Sequence, residues 1–212
     1  MIEFIIENQK EILSSILRHI QLVGISILIS IIISIPLGII LSRHKKAAGP
    51  VLAIAGTIQT IPGLVMLGFA LILFGIGTRP ALVVLTLYAI LPILRNTYTG
   101  ITEVDKSYIE AARGIGMTGL QTLFKVELPN ALPIIISGIR LSTVYIVSWA
   151  TLAGLIGAGG LGDLIWTGLA TYNTNYILSG AIPSAILALI LSGIISLIQK
   201  FLIPGGLRGV NS

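Results

Sequence analysis

The sequence offers few residues able to do bond chemistry. It contains no cysteine, which excludes disulfides, thiolate metal sites and cysteine nucleophiles. Its two histidines, His19 and His44, stand apart from any cluster of Asp or Glu, so neither a metal-ligand set nor a Ser–His–Asp arrangement can be read from them. Two stretches, Gly114–Gly119 and Gly157–Gly162, fit G-x-G-x-x-G. A dinucleotide site needs that motif between a strand and a helix of a βαβ unit, and neither stretch has such flanks. No G-x-x-x-x-G-K-[ST] phosphate loop occurs. Asp163 borders an apolar run and reads as a solvated acid. The expectation is a chain with no catalytic residue, no metal and no bound cofactor.

The elements that carry these residues follow from composition. Of 212 residues, 55% are hydrophobic and only 10% are Asp, Glu, Lys or Arg, against roughly 25% charged in soluble domains. So few charges cannot cover a globule of this size, and much of its surface must face lipid. The net charge of +5 would suggest nucleic acid in a soluble protein. In a membrane protein the placement of charge matters more than its sum, and no nucleic-acid partner is expected. Charge-free runs cover Ile20–Ser42, Ala47–Thr78, Pro80–Leu94, Leu141–Gly162 and Leu164–Gln199. A span needs about 20 apolar residues. Four runs are long enough alone, and Arg79 and Arg95 can snorkel from the ends of Pro80–Leu94. The reading is one all-α integral membrane domain over residues 1–212, with five helices near 20–42, 50–76, 79–97, 133–156 and 177–200. The polar stretch Thr171–Tyr176 is expected at an interface. Glu3, Glu7, Lys10, Glu11 and Arg18 in the first nineteen residues do not read as a cleavable leader.

Orientation follows from Lys and Arg. With the C-terminus inside, the inner side holds Arg43, Lys45, Lys46, Arg95, Lys106, Arg113, Lys125, Arg140, Lys200 and Arg208. Lys10, Arg18 and Arg79 remain outside. The excess predicts the N-terminus outside and the C-terminus in the cytoplasm. Arg140, two turns into the fourth helix, is expected to snorkel inward or to contact the cytoplasmic loop.

That loop spans about 96–132. Tyr108–Ile115 reads as a short helix, with Ser107 as cap, Glu110 three residues on as in a capping box, and Gly114, Gly116 and Gly119 ending it. Pro129 and Pro133 are expected to break the chain before the next span, Pro133 in its first turn. Glu110-Ala111-Ala112, then Gly116, then Val126-Glu127-Leu128-Pro129, resembles the E-A-A-x3-G-x9-I-x-L-P loop of ABC importer permeases, with Val126 in place of Ile. The stretches Leu91–Ile101, Gly114–Gly119 and Ile156–Asp163 are similar to permeases of osmoprotectant ABC importers, over roughly residues 20–205. The methionine importer permease is a more distant relative with the same five-span plan.

The resemblance implies a type I ABC importer permease fold, methionine-permease-like, in a bacterial cell membrane. It implies that Glu110, Ala111, Ala112, Gly114, Gly116, Leu128 and Pro129 couple the chain to a separate ABC ATPase subunit, which binds ATP and Mg. A substrate-binding protein and a second permease, self or paralogue, are the other implied partners. The implied cargo is glycine betaine, carnitine or choline. Methionine or another amino acid is the alternative. A secondary carrier is less favoured, since no acid lies deep in a span.

Two mid-membrane groups are unusual. Thr57, Gln59, Thr60 and Pro62 put polar groups and a helix breaker inside the second span; such backbone is tolerated only when buried in protein or facing a wet cavity. The group is therefore either a packed kink or a wall of a translocation path. Tyr145 and Trp149, four residues apart, share a helix face. They either pack in the core or offer a cation–π surface to a quaternary amine.

Overall fold

The computed structural model describes residues 2–202; Arg208, counted above on the inner side, lies outside them. Among the described residues there is no strand. The helices are α1 (Ile2–Glu7), α2 (Gln9–Arg43), α3 (Lys45–Thr60), α4 (Gly63–Phe74), α5 (Thr78–Thr102), α6 (Lys106–Gly114), α7 (Gly119–Thr122), α8 (Leu128–Ala153), α9 (Leu161–Ala170) and α10 (Thr174–Leu202). A π-helical turn, Leu123–Glu127, joins α7 to α8. Four stretches are long and apolar enough to cross a membrane, namely α2, α5, Gly119–Ile156 and α10. The pair α3 and α4 makes a fifth span if it counts as one, bent by 94°.

The expected first span, 20–42, is the inner part of a longer helix. The charged residues before Ile20 remain helical because Ile12 and Ile16 pack against Leu161, Leu164 and Leu187. The expected second span, 50–76, is broken. Pro62 lacks an N–H and disfavours the helical conformation for the residue before it, and Ile61 is extended at φ −70°, ψ 129°. The fourth span starts earlier than expected. Pro129 occupies its first turn and Pro133 lies inside it, so the two prolines do not separate it from the coupling segment. Its helical backbone runs on from α7 through the π turn.

The central helix is α5, packed between α2 and α8. In its apolar window 61% of the residues are buried, against 11% in α10. Close approach relies on small residues, the usual device between membrane helices. A Cβ on Gly138 of α8 would come within 2.7 Å of Asn96 Cβ and 2.9 Å of the Pro92 carbonyl oxygen on α5. Hydroxyls bond across the same contacts: Ser142 Oγ donates to the Ala89 carbonyl at 2.9 Å, Ser30 Oγ to Thr86 at 3.0 Å and Ser34 Oγ to Ile90 at 3.2 Å. The main core gathers Leu22, Val23, Leu85, Ala89, Ile146 and Ala150 from these three helices.

The end remote from the coupling segment is tied by residues expected at an interface. His19 is fully buried. Its Nδ1 accepts the Leu161 N–H at 3.3 Å, so Nε2 carries the proton and donates to the Val147 carbonyl at 3.1 Å. The imidazole thereby caps α9 and joins it to α2 and α8. Arg18 donates to Thr78 Oγ1 and, at 3.4 Å, to the Ala158 carbonyl. The glycine-rich turn 157–160 is packed on these two side chains, with Gly159 against Arg18 and Gly160 against His19. Asp163 is half-buried rather than fully solvated. Burial pushes its carboxyl pKa up, opposed by a bond from the Gly159 backbone and by the Arg18 charge. Arg140 finds a partner that the sequence reading did not name: its Nη1 donates to Ser196 Oγ on α10 at 3.0 Å.

Replacing Gly138 with Val should force α5 and α8 apart. The expected cost is about 1–3 kcal/mol, the range for overpacked cores, read as a lower thermal midpoint of the detergent-purified protein. Gly24→Ala, where nothing lies within 4 Å of the new Cβ, should leave the midpoint unchanged.

Candidate functional site

The segment expected to couple to a partner, labelled the coupling segment after that expectation, runs from Glu103 to Glu127, between the end of α5 and the start of α8. The helix at its centre is α6, one residue off the expected 108–115 at its end and two at its start. Its cap is Asp105, not Ser107: Asp105 has non-helical φ/ψ and its side chain accepts the Ser107 N–H at 2.8 Å. Those bonds hold the Asp105 carboxyl below the usual carboxylate pKa. Ser107 is already helical, so its side chain cannot serve as N-cap. A capping box does form further on, where Thr118 Oγ1 accepts the Gln121 N–H at 3.3 Å and Gln121 Oε1 accepts the Thr118 N–H at 2.8 Å.

Packing divides α6 into two faces. Ala112 is buried and Ile109 partly so, while Tyr108, Glu110, Ala111 and Arg113 are exposed. Tyr108, Ala111 and Ile115 fall on one side at helical spacing, and Ile115 is 75% exposed. Gly114 ends the helix. Gly116 follows at φ +81°, a conformation that favours glycine, with no atom within 4 Å of where a Cβ would stand. The expectation that Gly119 helps end this helix fails; it begins α7. Leu128 and Pro129 form the first turn of α8, half-buried.

The residue of this segment that the motif alone did not single out is Glu127. Its side chain is 3% exposed and accepts both arms of the Arg43 guanidinium at the end of α2. The pair bridges one edge of a cavity of about 590 Å³ whose walls include Ile40, Ile109, Met117 and Leu120. The end of α2 and the coupling segment are therefore joined across space that side chains do not fill. A π turn carries Glu127; such turns are frequent at functional sites.

The mid-span group is organised around a residue that sequence reasoning missed, Tyr88 of α5. Its hydroxyl donates to the carbonyl of Ile61, at the α3–α4 break. Its backbone carbonyl accepts Gln59 Nε2 at 2.8 Å. Its ring lies 4.8 Å from that of Trp149, tilted by 33°. Gly63 sits directly against the Trp149 ring, with no room for a Cβ. Gln59, Tyr88, Tyr145 and Trp149 surround a cavity of about 210 Å³. Trp149 therefore both packs and lines space. Thr57 and Thr60 do not reach this cavity: Thr57 bonds back to Ala53 at 3.0 Å and Thr60 to Thr57 at 2.7 Å, both exposed. Pro62 is exposed at the start of α4. The available signal for Tyr88 was a phenol in a charge-free run, which needs a polar partner when buried.

Similarity to known proteins matches this layout. Residues 16–205 match the family described as binding-protein-dependent transport system inner membrane component. The glycine betaine/carnitine/choline transport system permease protein of Bacillus subtilis (strain 168) is 45% identical over 210 residues, 99% of this chain and 97% of that one. The osmoprotectant import permease protein of Salmonella typhimurium is 39% identical over 212 residues, 98% of this chain and 99% of that one. A chain of the MetNI methionine ABC transporter, solved in inward-facing conformations, superposes with a TM-score of 0.82 at 24% identity, covering 92% of this chain and 98% of that one. The chain belongs to the binding-protein-dependent transport system inner membrane component family, and is a multi-pass membrane permease that shares the fold of that methionine transporter chain.

Proposed function

We propose that this chain is one of two permease subunits of an ATP-driven importer that carries quaternary ammonium osmoprotectants, such as glycine betaine, carnitine and choline, into a bacterial cell. The observation that carries the reading is the coupling segment. Tyr108, Ala111 and Ile115 form an exposed row with no partner in the described chain, beside the E-A-A and glycine positions of the importer loop. Glu110 adds an exposed acid able to pair with a basic group. ATP and Mg²⁺ are bound by a separate ATPase that docks there, and this chain does no bond chemistry. The cargo follows the relatives at 39–45% identity, which are named for these compounds. The 24% likeness to a methionine transporter speaks for the fold alone.

Thr57, Gln59, Thr60, Pro62, Tyr145 and Trp149 belong to the wall of the path. Exposed threonines and a half-exposed tyrosine in mid-span are costly against lipid and favourable against water. A binding protein delivers cargo from outside, and a second permease, self or paralogue, supplies the facing wall. Loop charge supports an N-terminus outside and a coupling segment in the cytoplasm.

Three outcomes test this. Asp at position 116 tolerates positive φ better than most residues, so Gly116→Asp should fold yet lose recovery of the ATPase in pull-downs from detergent extract. Undiminished recovery with normal uptake refutes the docking assignment. Tyr172 is 95% exposed in the α9–α10 turn and Ser107 is exposed on α6. In intact cells, Tyr172→Cys should react with an impermeant thiol reagent and Ser107→Cys should not; the reverse pattern inverts the topology. Arg43→Ala leaves the buried Glu127 unpaired. It should cost about 2 kcal/mol, discounted from the range for fully buried pairs because Arg43 is 46% exposed. The double variant Arg43→Ala/Glu127→Ala should recover part of that loss in thermal midpoint; simple addition of the two single costs means the pair is not coupled.

A further inference from the structure

We infer that the cavity between Gln59, Tyr88, Tyr145 and Trp149 is a weak subsite for the cationic head of the cargo. It would hold a quaternary ammonium group against aromatic ring surface and the Gln59 side-chain oxygen. This rests on the quaternary-ammonium reading above and adds where, inside the membrane, the head group pauses.

The wall chemistry selects the class of ligand. The lining holds three aromatic rings and one amide, and neither a carboxylate nor a basic group. The Tyr88 hydroxyl is spent on the Ile61 carbonyl, and one N–H of Gln59 Nε2 on the Tyr88 carbonyl. The amide keeps its second N–H and Oε1, an acceptor and the negative end of its dipole. Half-exposed Tyr145 retains a hydroxyl that can turn to water. An anion finds no counter-charge here. A primary ammonium carries three N–H groups and finds too few acceptors. A quaternary ammonium has no N–H to satisfy, spreads its charge over methyl groups, and is attracted by aromatic rings.

Size and rigidity agree. The cavity of about 210 Å³ is smaller than the roughly 300 Å³ at which sites for drug-sized ligands begin, so it suits a small head group. Trp149 is held between Gly63 and Tyr88, and Tyr88 is pinned through its hydroxyl. Two of the three rings are thus fixed before a ligand arrives, which lowers the cost of binding. Tyr145, 50% exposed, leaves the site open on one side, so the cation is held loosely and can leave.

The test uses the native absence of cysteine. Ser148 is exposed and lies three residues from Tyr145 on the same helix. The Ser148→Cys chain, purified with its ATPase and without the binding protein, is treated with a maleimide in the presence of choline or of its uncharged isostere 3,3-dimethylbutan-1-ol. Leu141→Cys, at an exposed position four residues before Tyr145 on the same helix face, is the second reporter, used if the first position proves unreactive. Choline should slow labelling, and the isostere should need roughly two- to fivefold more for the same effect, the factor expected of a cation–π contact at a partly exposed site. Adding Tyr145→Leu should remove the difference, while Tyr145→Phe should keep it. Equal protection by both compounds, no protection at either reporter, or a difference that survives Tyr145→Leu overturns the subsite. Uptake by proteoliposomes containing the complete transporter separates the two readings. Choline or glycine betaine uptake without protection leaves the importer standing and removes the subsite. Protection without uptake of any quaternary amine leaves the subsite standing and removes the importer's cargo assignment.

Discussion

A backbone carbonyl in the middle of a membrane has to be met by a donor, and in this chain the break at Ile61–Pro62 sets that requirement. Proline ends α3 and restarts the helix as α4 at 94°, which takes Ile61 out of the helical ladder. In hydrocarbon an unmet carbonyl costs several kcal/mol. The Tyr88 hydroxyl meets it. That one bond fixes the phenol, the phenol fixes the Trp149 ring beside it, and the ring fits only because residue 63 has no side chain. Gln59 then closes the arrangement by bonding the Tyr88 backbone. The cavity is what remains between groups whose positions are each set by satisfying another.

The coupling segment solves the opposite problem. It is polar, short and outside the packed bundle, so it cannot be ordered by burial alone. Caps and turns order it instead: Asp105 on α6, the Thr118–Gln121 box on α7, and a glycine at positive φ between them. Its one deeply buried charge, Glu127, is paired to the end of α2. A buried carboxylate with a bidentate arginine partner is weak evidence for stability, because desolvation offsets the attraction. It is better evidence for position, since the planar fork holds two elements in one geometry.

What the sequence made legible divides along the same line. The importer-like motif was readable because two short blocks at a fixed separation carry it, and no three-dimensional knowledge is needed to see Glu110, Gly116 and Leu128-Pro129. The break was readable because Pro62 sits among Thr57, Gln59 and Thr60 in an apolar run. Its angle was not, since a proline in a helix gives a kink as readily as a right-angle turn, and the choice depends on Tyr88 and Trp149, twenty-six and eighty-seven residues downstream. His19 was misplaced for a similar reason: next to Arg18 at the edge of an apolar run it looks interfacial, and only the return of α9 buries it. The segment between α5 and α8 holds two capping-box patterns, at Ser107 and Thr118, and local pattern cannot choose between them. Asp105 decides, because a carboxylate one position ahead of the helix takes the free N–H groups first.

The two sites are connected by one piece of backbone. From Gly119 to Ile156 the chain is helical without a loop, about 57 Å at 1.5 Å per residue. It begins one residue after the cap Thr118, passes Glu127 with its tie to α2, and reaches Tyr145 and Trp149 at the cavity. Its departures from regular α-helix are the π turn at Leu123–Glu127 and the final 3₁₀ turn, and Pro133 is the proline in its interior. The helix is clamped to α5 at Gly138 and Ser142, between the two sites. Between α7 and the cavity, the π turn and Pro133 are the interruptions of that helix. Beyond them, α8 and α5 are packed as one unit that holds Tyr88, Trp149 and, through the Tyr88 hydroxyl, the carbonyl of Ile61. The bond that makes the break tolerable in lipid is also a bond that ties the α3–α4 break to the central bundle.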